Sequence, residues 1–204
     1  ALKSVSGFEV YGNDELLEIS SNVLDTIETD ATVYNNPKLT KLLLPQLKSA
    51  GGILVHTQPA LVEVGLDKLE TMTGHFHFHT NGNLASISVP KFKSVASLTL
   101  NNMAEISSFL IPRLEVISTK LTVTNCAKLP LSRQKLLHTV PLCDVTLKNT
   151  TEVACSGNLV GYHDTIKAGT GCDKLTMCMC PSGLTSDTPW SADSGVHKTR
   201  MGGE

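Results

Sequence analysis

Hydrophobic and polar positions along this chain follow a pattern that returns at an almost constant interval. Seven short triplets with apolar ends carry it: Phe8-Glu9-Val10, Ala31-Thr32-Val33, Ile53-Leu54-Val55, Phe76-His77-Phe78, Leu98-Thr99-Leu100, Leu121-Thr122-Val123 and Val145-Thr146-Leu147. Counted from the last residue of each, the steps are 23, 22, 23, 22, 23 and 24 residues. Repetition at this period is a solenoid signature. Within each triplet, alternation turns the outer residues inward and the middle one outward, as in a strand with one covered face.

Two further apolar columns run upstream with the same period. The first is Leu2, Leu24, Leu47, Leu69, Phe92, Leu114 and Leu137; three residues later come Val5, Ile27, Ala50, Met72, Val95, Ile117 and Val140. A shorter column pairs Ile19 with Ser21, Leu42 with Leu44, Val64 with Leu66, Ile87 with Val89 and Phe109 with Ile111, often followed by Pro45, Pro90 or Pro112. A coil this short encloses no core alone, so its inward residues must stack on those of the neighbouring coils. The polar turns carry Asn13, Asn35, Asn36, Asn81, Asn101, Asn102 and Asn125. Asparagine tolerates left-handed backbone and bonds nearby backbone groups, which suits a repeated corner. The intervening segments are rich in Ser, Thr, Val, Gly and Pro, which disfavours helix. The expected fold is therefore all-β, a right-handed parallel β-helix or solenoid of about 22–24-residue coils over residues 1–150. A cysteine-rich cap or partial module at 151–190 and a flexible tail at 191–204 complete the expected organisation.

The stretches Pro37-Lys38-Leu39-Thr40-Lys41-Leu42-Leu43-Leu44-Pro45-Gln46-Leu47 and Ile111-Pro112-Arg113-Leu114-Glu115-Val116-Ile117 give the chain a family likeness. It resembles the receptor L-domains of the insulin and epidermal growth factor receptors, and at least as much the wall-associated, lipid-anchored fungal surface proteins built from the same leucine-rich-repeat-like unit. The resemblance covers roughly residues 2–150 and lies in repeat grammar rather than in an active-site motif. It implies a short right-handed β-helix displayed outside the cell and serving adhesion, recognition or wall organisation. The chain departs from receptor L-domains in lacking cysteines near its start.

Composition agrees with thin coils: 41% of residues are hydrophobic but only 4% aromatic, since Leu, Val and Ile fit where rings do not. The net charge of −2 and the lack of a basic stripe argue against a nucleic-acid partner. The sequence contains no apolar run long enough for a transmembrane helix. Cys126, Cys143, Cys155, Cys172, Cys178 and Cys180 all fall in the last part of the chain, where repeat order fades. They read as up to three disulfides stapling a segment too small for its own core, with fifteen pairings open. A zinc site using Cys172, Cys178 and Cys180 is the rival reading, without paired Cys-x-x-Cys knuckles to support it. The string Cys178-Met179-Cys180-Pro181-Ser182-Gly183 also looks like the end of an epidermal-growth-factor-like module, with too few cysteines after it to complete one. Asn149-Thr150-Thr151 is a glycosylation sequon, and with the cysteines it points to an extracellular or cell-surface glycoprotein.

Solenoids usually bind with a sheet face, so recognition chemistry is sought on the outward positions of the triplets. The middle column is Glu9, Thr32, Leu54, His77, Thr99, Thr122 and Thr146; beside it run Tyr11, Tyr34, His56, His79, Asn101, Thr124 and Lys148. On its other side lie Gly7, Asp30, Gly52, His75, Ser97, Lys120 and Asp144. Tyr11, Tyr34, Leu54, His77, Thr99, Asn101 and Thr122 are the candidate ligand-binding residues on this mostly uncharged face. The threonines equally form a strand-favouring hydroxyl ladder, and the tyrosines equally stabilise the sheet by cross-strand contact. His75, His77 and His79 share one side of a strand, with His56 beside His79 on the preceding coil. Read first as an exposed imidazole patch, they are alternatively a zinc, nickel or copper site, or a pH sensor. Trp190, in a Ser/Asp/Pro-rich stretch, reads as a pin for the tail rather than a binding residue.

No Gly-x-Ser-x-Gly elbow, phosphate loop or pair of inward carboxylates occurs, and Glu9, Asp30 and Asp144 are scattered over several coils. A non-enzymatic module binding a protein or glycan across its sheet is therefore the leading expectation. The alternatives are a structural component of a wall or coat, or a metal-binding surface protein. Because the repeat is already in phase at Leu2, self-association through the N-terminal end is a further expectation.

Overall fold

The computed structural model describes residues 2–129, together with the backbone of residues 144–150 and 174–177. Fifteen strands and no helix occur among the described residues. The larger sheet contains β1 (Ser4–Val5), β2 (Phe8–Tyr11), β4 (Thr26–Tyr34), β6 (Ser49–His56), β8 (Thr71–Met72), β9 (His75–His79), β11 (Ser94–Asn101), β13 (Val116–Cys126), β14 (Asp144–Thr150) and β15 (Lys174–Met177). The smaller comprises β3 (Glu18–Ser20), β5 (Lys41–Leu43), β7 (Glu63–Gly65), β10 (Ser86–Ser88) and β12 (Ser108–Leu110). All strand pairs are parallel and join successive coils, giving a β-solenoid of about six turns. Every register predicted from the triplets is observed, for example Val33 beside Val55, Val55 beside Phe78 and Phe78 beside Leu100. The stack also continues beyond the expected repeat region, because β15 pairs with β14 at an offset of 30 residues, Asp144 with Lys174.

The core lies between the two sheets and is a set of stacked columns. Leu47, Leu69 and Phe92 are fully buried on one column, Leu42, Ile87 and Phe109 nearly so on another, and Val33, Val55, Phe78 and Leu100 on the triplet face. At the first coil the same columns are less well covered: Leu2 is exposed, and Val5, Phe8, Leu16 and Ile19 are only partly buried. Lysine–carboxylate pairs between adjacent coils, such as Lys38–Glu15 and Lys93–Glu70 at 2.6 Å, line the outside. Their solvent exposure makes each worth at most about 1 kcal/mol. Where the long strands bend, coils approach so closely that a Cβ at Gly51 would strike the Thr29 carbonyl, which requires glycine there.

The turn asparagines separate into distinct columns. Asn35, Asn102 and Asn125 occupy the left-handed corner with Gly12, Thr57 and Thr80, all at φ between 52° and 65°. Asn36, Gln58 and Asn81 instead point inward and are completely buried. Each accepts the backbone N–H of the equivalent residue one coil earlier: Asn13 N to Asn36 Oδ1, Asn36 N to Gln58 Oε1 and Gln58 N to Asn81 Oδ1, all at 3.1 Å. Asn36 Nδ2 donates to the carbonyls of Val10 and Tyr34, and Asn81 Nδ2 to that of Val55. Gln58 is longer by one methylene and its Nε2 finds no partner. An unmet buried donor costs about 1–3 kcal/mol. Gln58→Asn is accordingly expected to raise stability by about 1 kcal/mol in urea denaturation. A loss of stability would show that the glutamine amide is satisfied in solution.

Cys126 belongs to this inward column, and every other cysteine of the expected disulfide set lies outside the described residues. Among the described residues Cys126 is a free thiol, wholly buried, whose Sγ donates to the Thr124 carbonyl at 3.4 Å and takes a backbone hydrogen bond from Met103. Burial pushes its pKa up to about 11, so it is protonated and shielded. Cys143, Cys155, Cys172, Cys178, Cys180 and Trp190 lie outside the described residues, as do the expected cap apart from β15 and the tail. Asn149 falls within β14 by backbone position, between the register pairs Thr124–Lys148 and Cys126–Thr150 and so opposite the corner residue Asn125.

Candidate functional site

The candidate ligand-binding residues all lie on the larger sheet, in the columns assigned to them. Leu54, His77, Thr99 and Thr122 occupy consecutive positions of the middle column. Tyr11, Tyr34 and Asn101 belong to the column beside it, with His56 and His79 between Tyr34 and Asn101. Thr122 contributes least, because its Oγ1 is shut off from solvent and lacks a partner among the described residues.

In-register side chains of one type of rotamer must stack at the inter-strand spacing of about 4.8 Å. The rings obey this: Tyr11–Tyr34, Tyr34–His56 and His56–His79 have centroids 4.8, 4.9 and 4.5 Å apart and planes within 8° of parallel. Stacking decides what a ligand meets. The faces of Tyr34 and His56 are covered by their neighbours, so only the outer face of Tyr11, 56% exposed, is free for a ring contact. The rest of the column presents polar ring edges and continues into Asn101, whose Oδ1 accepts from Thr124 Oγ1 at 2.8 Å. Desolvation, and after it a hydrogen bond to Glu9 and the charge of that carboxylate, push the Tyr34 phenol above its usual pKa. That contact was not foreseen, although Glu9 and Tyr34 stand on adjacent coils in adjacent columns.

Each ladder histidine is braced by the residue after it. His56 Nδ1 lies 3.3 Å from Thr57 Oγ1, and His79 Nδ1 lies 3.2 Å from Thr80 Oγ1. Both threonines are in left-handed conformation, unusual for a β-branched residue. The signal is visible in the chain as His-Thr at equivalent places in two coils, 56–57 and 79–80. His77 packs at 5.0 Å and 43° against His79, and His75 Nδ1 is 2.7 Å from Ser97 Oγ.

Among the described residues, no three His, Cys, Asp or Glu side chains are placed to hold one metal ion. Parallel stacked imidazoles direct their nitrogens side by side, whereas zinc requires nitrogens converging at about 2.0–2.1 Å. The expected grouping of His56, His75, His77 and His79 is thus present as a patch but lacks convergent ligand geometry.

Burial holds the pKa values of His56, His77 and His79 below the usual imidazole value. His79, His56 and His75 lower His77 further by like-charge repulsion, as His56 does for His79. The folded chain therefore binds these protons less tightly than the unfolded chain. Their contribution to stability is complete above about pH 6.5 and is lost as pH falls through the lowered folded values. We expect the melting temperature to decline from about pH 7 to about pH 5, and His77→Gln to make the decline shallower. An unaltered slope in that variant would show that the patch does not govern it.

The fold and this face define a β-solenoid with an edge-on aromatic ladder on its larger sheet. No family model, curated protein or solved structure matches the chain.

Proposed function

We propose that this protein is a non-enzymatic recognition or adhesion module of the cell exterior, binding a protein or glycan ligand across its larger sheet. The observation that carries this reading is the ladder Tyr11–Tyr34–His56–His79 with Asn101 beyond it. It supplies a flat row of hydrogen-bonding edges, one per coil, with the hydroxyls of Thr32 and Thr99 beside it. Rigid aromatic side chains and neutral polar groups on a pre-formed sheet bind with little ordering cost. The resemblance to receptor L-domains and wall-associated surface proteins supports the same setting, as do the sequon and the cysteines of the chain's last part.

The test is an array of glycans and extracellular proteins probed at neutral pH, followed by titration of the best ligand. Tyr34→Ala removes a central rung and is expected to weaken binding at least about tenfold with the fold intact by circular dichroism. Leu110→Ala, on the smaller sheet, is expected to leave it unchanged. The opposite pattern would move the binding surface to the smaller sheet and overturn the reading. A structural role in a wall or coat draws on a different observation, the exposed Leu2, Tyr11 and Leu17 at the first coil. Light scattering that rises with concentration in the absence of ligand would favour it.

A further inference from the structure

Four histidines meet on one small part of the sheet, and their surroundings determine what they do. His56 and His79 stack at 4.5 Å, His77 lies 5.0 Å from His79, and His75 occupies the next outward position of the same strand. The groups facing them are mostly neutral: Leu54 and Thr99 flank His77 in register, Ser97 adjoins His75, and Asn101 adjoins His79. Of the titratable groups on neighbouring strands, Tyr34 stacks on His56, and Tyr11 lies one coil further along the ladder. Glu9 is engaged by Tyr34, and Asp30 sits beside Gly52, the neighbour of His75. Lys120 stands on the far side of Ser97, with Asp144 beyond it, and Lys148 follows Thr124 at the end of the ladder column. Among the described residues, no carboxylate is a cause of the lowered proton affinity of His56, His77 or His79.

We propose that His56, His77 and His79 form a binding site for an acidic glycan that is switched on by protonation. This rests on the reading of the same sheet as a recognition surface. Above the imidazole range the patch is uncharged, and an acid group gains no more there than a hydroxyl would. Each imidazole that takes up a proton becomes a charged donor, and adjacent imidazolium rings repel until an anion lies between them. A bound carboxylate or sulfate relieves that repulsion, so ligand and protons bind together.

The spacing favours a glycan over a peptide. Ladder rungs recur every 4.5–4.9 Å, close to the advance of one pyranose unit in an extended chain. An extended peptide advances about 3.3 Å per residue and falls out of step with the rungs. The hydroxyl and amide groups of Thr32, Ser97, Thr99 and Asn101 around the imidazoles suit sugar hydroxyls.

Calorimetric titration of the whole chain with oligogalacturonate, a heparin oligosaccharide, neutral dextran and poly-glutamate at about pH 5.5 and about pH 7.5 tests this. One or both acidic sugars are expected to bind at least about tenfold more tightly at the lower pH, with net proton uptake seen by comparing two buffers. The two acidic sugars separate carboxylate from sulfate preference. His77→Gln with His79→Gln is expected to bring the ratio of affinities close to one, and His56→Gln alone, expected to lower that ratio, serves if that pair fails to fold. Equal affinity at both pH values, absence of proton uptake, or an unchanged ratio in the variants overturns the inference. Equal binding of poly-glutamate overturns the assignment to glycans. A ligand found at neutral pH that binds independently of pH overturns the proton switch alone and leaves the recognition reading standing.

Discussion

Replacing Asn81 with leucine is expected to destabilise the protein by about 1–3 kcal/mol, despite the similar size of the two side chains. Asn81 is fully buried, and its amide serves two coils at once: Oδ1 accepts from the Gln58 N–H at 3.1 Å and Nδ2 donates to the Val55 carbonyl at 2.9 Å. Leucine leaves the Gln58 N–H unpaired inside the protein, at a cost of about 1–3 kcal/mol, and takes from the Val55 carbonyl, which also belongs to the β6–β9 ladder, its side-chain donor. The column itself tolerates apolar bulk, since Met103 occupies the next rung and is also completely buried. Asn81→Asp keeps the acceptor, and its loss of stability, expected to grow as pH rises, includes the cost of burying a carboxylate. Urea unfolding of both variants would measure these losses, and a leucine variant within about 0.5 kcal/mol of the parent would show that the ladder amides contribute no net stability.

Phe76→Ala is expected to cost about 3–5 kcal/mol. Phe76 is completely buried at mid-stack, with ring centroids 4.9 Å from Phe78, 5.6 Å from Phe92 and 6.1 Å from Phe109. Its register neighbours Ile53 and Leu98 are held by the hydrogen-bonded strand spacing. They cannot close over the space that a lost ring leaves, so the cavity persists. In a repeat array each coil is stabilised chiefly by its neighbours, and a weak coil in the middle uncouples the two ends. The unfolding transition should therefore broaden as well as shift, with a lower apparent dependence on denaturant. Phe76→Leu, which keeps most of the volume, is the control; an equally large loss there would point to ring-specific contacts rather than to the cavity.

How much of this was legible in the chain follows from what repeats. Strand pairing was readable because the period hardly varies, and one slip would turn every inward residue outward. The outward columns, including Tyr11 with Tyr34 and His56 with His79, were readable for the same reason. Cys126 was read with the cysteines near it in sequence, and its place in a column of turn residues was passed over. Seen as the successor of Asn81 and Met103, it is a small inward group with backbone partners. The asparagines were grouped as corner residues, although only Asn35, Asn102 and Asn125 have positive φ, while Asn36 and Asn81 are interior. Residues adjacent in sequence thus divide between corner and core, and asparagine occurs in both places.

The periodic spacing alone determined the all-β solenoid, the register of its coils and the membership of each outward column, because a stack of equal coils converts sequence distance directly into spatial adjacency. Only the tertiary structure decided how the side chains in those columns face one another. Ring faces close on each other and leave their edges outward; the imidazoles of His56 and His79 stack; one amide length satisfies the interior ladder and another does not. These outcomes depend on rotamers and on ångström-scale reach between coils, which a repeat pattern does not encode.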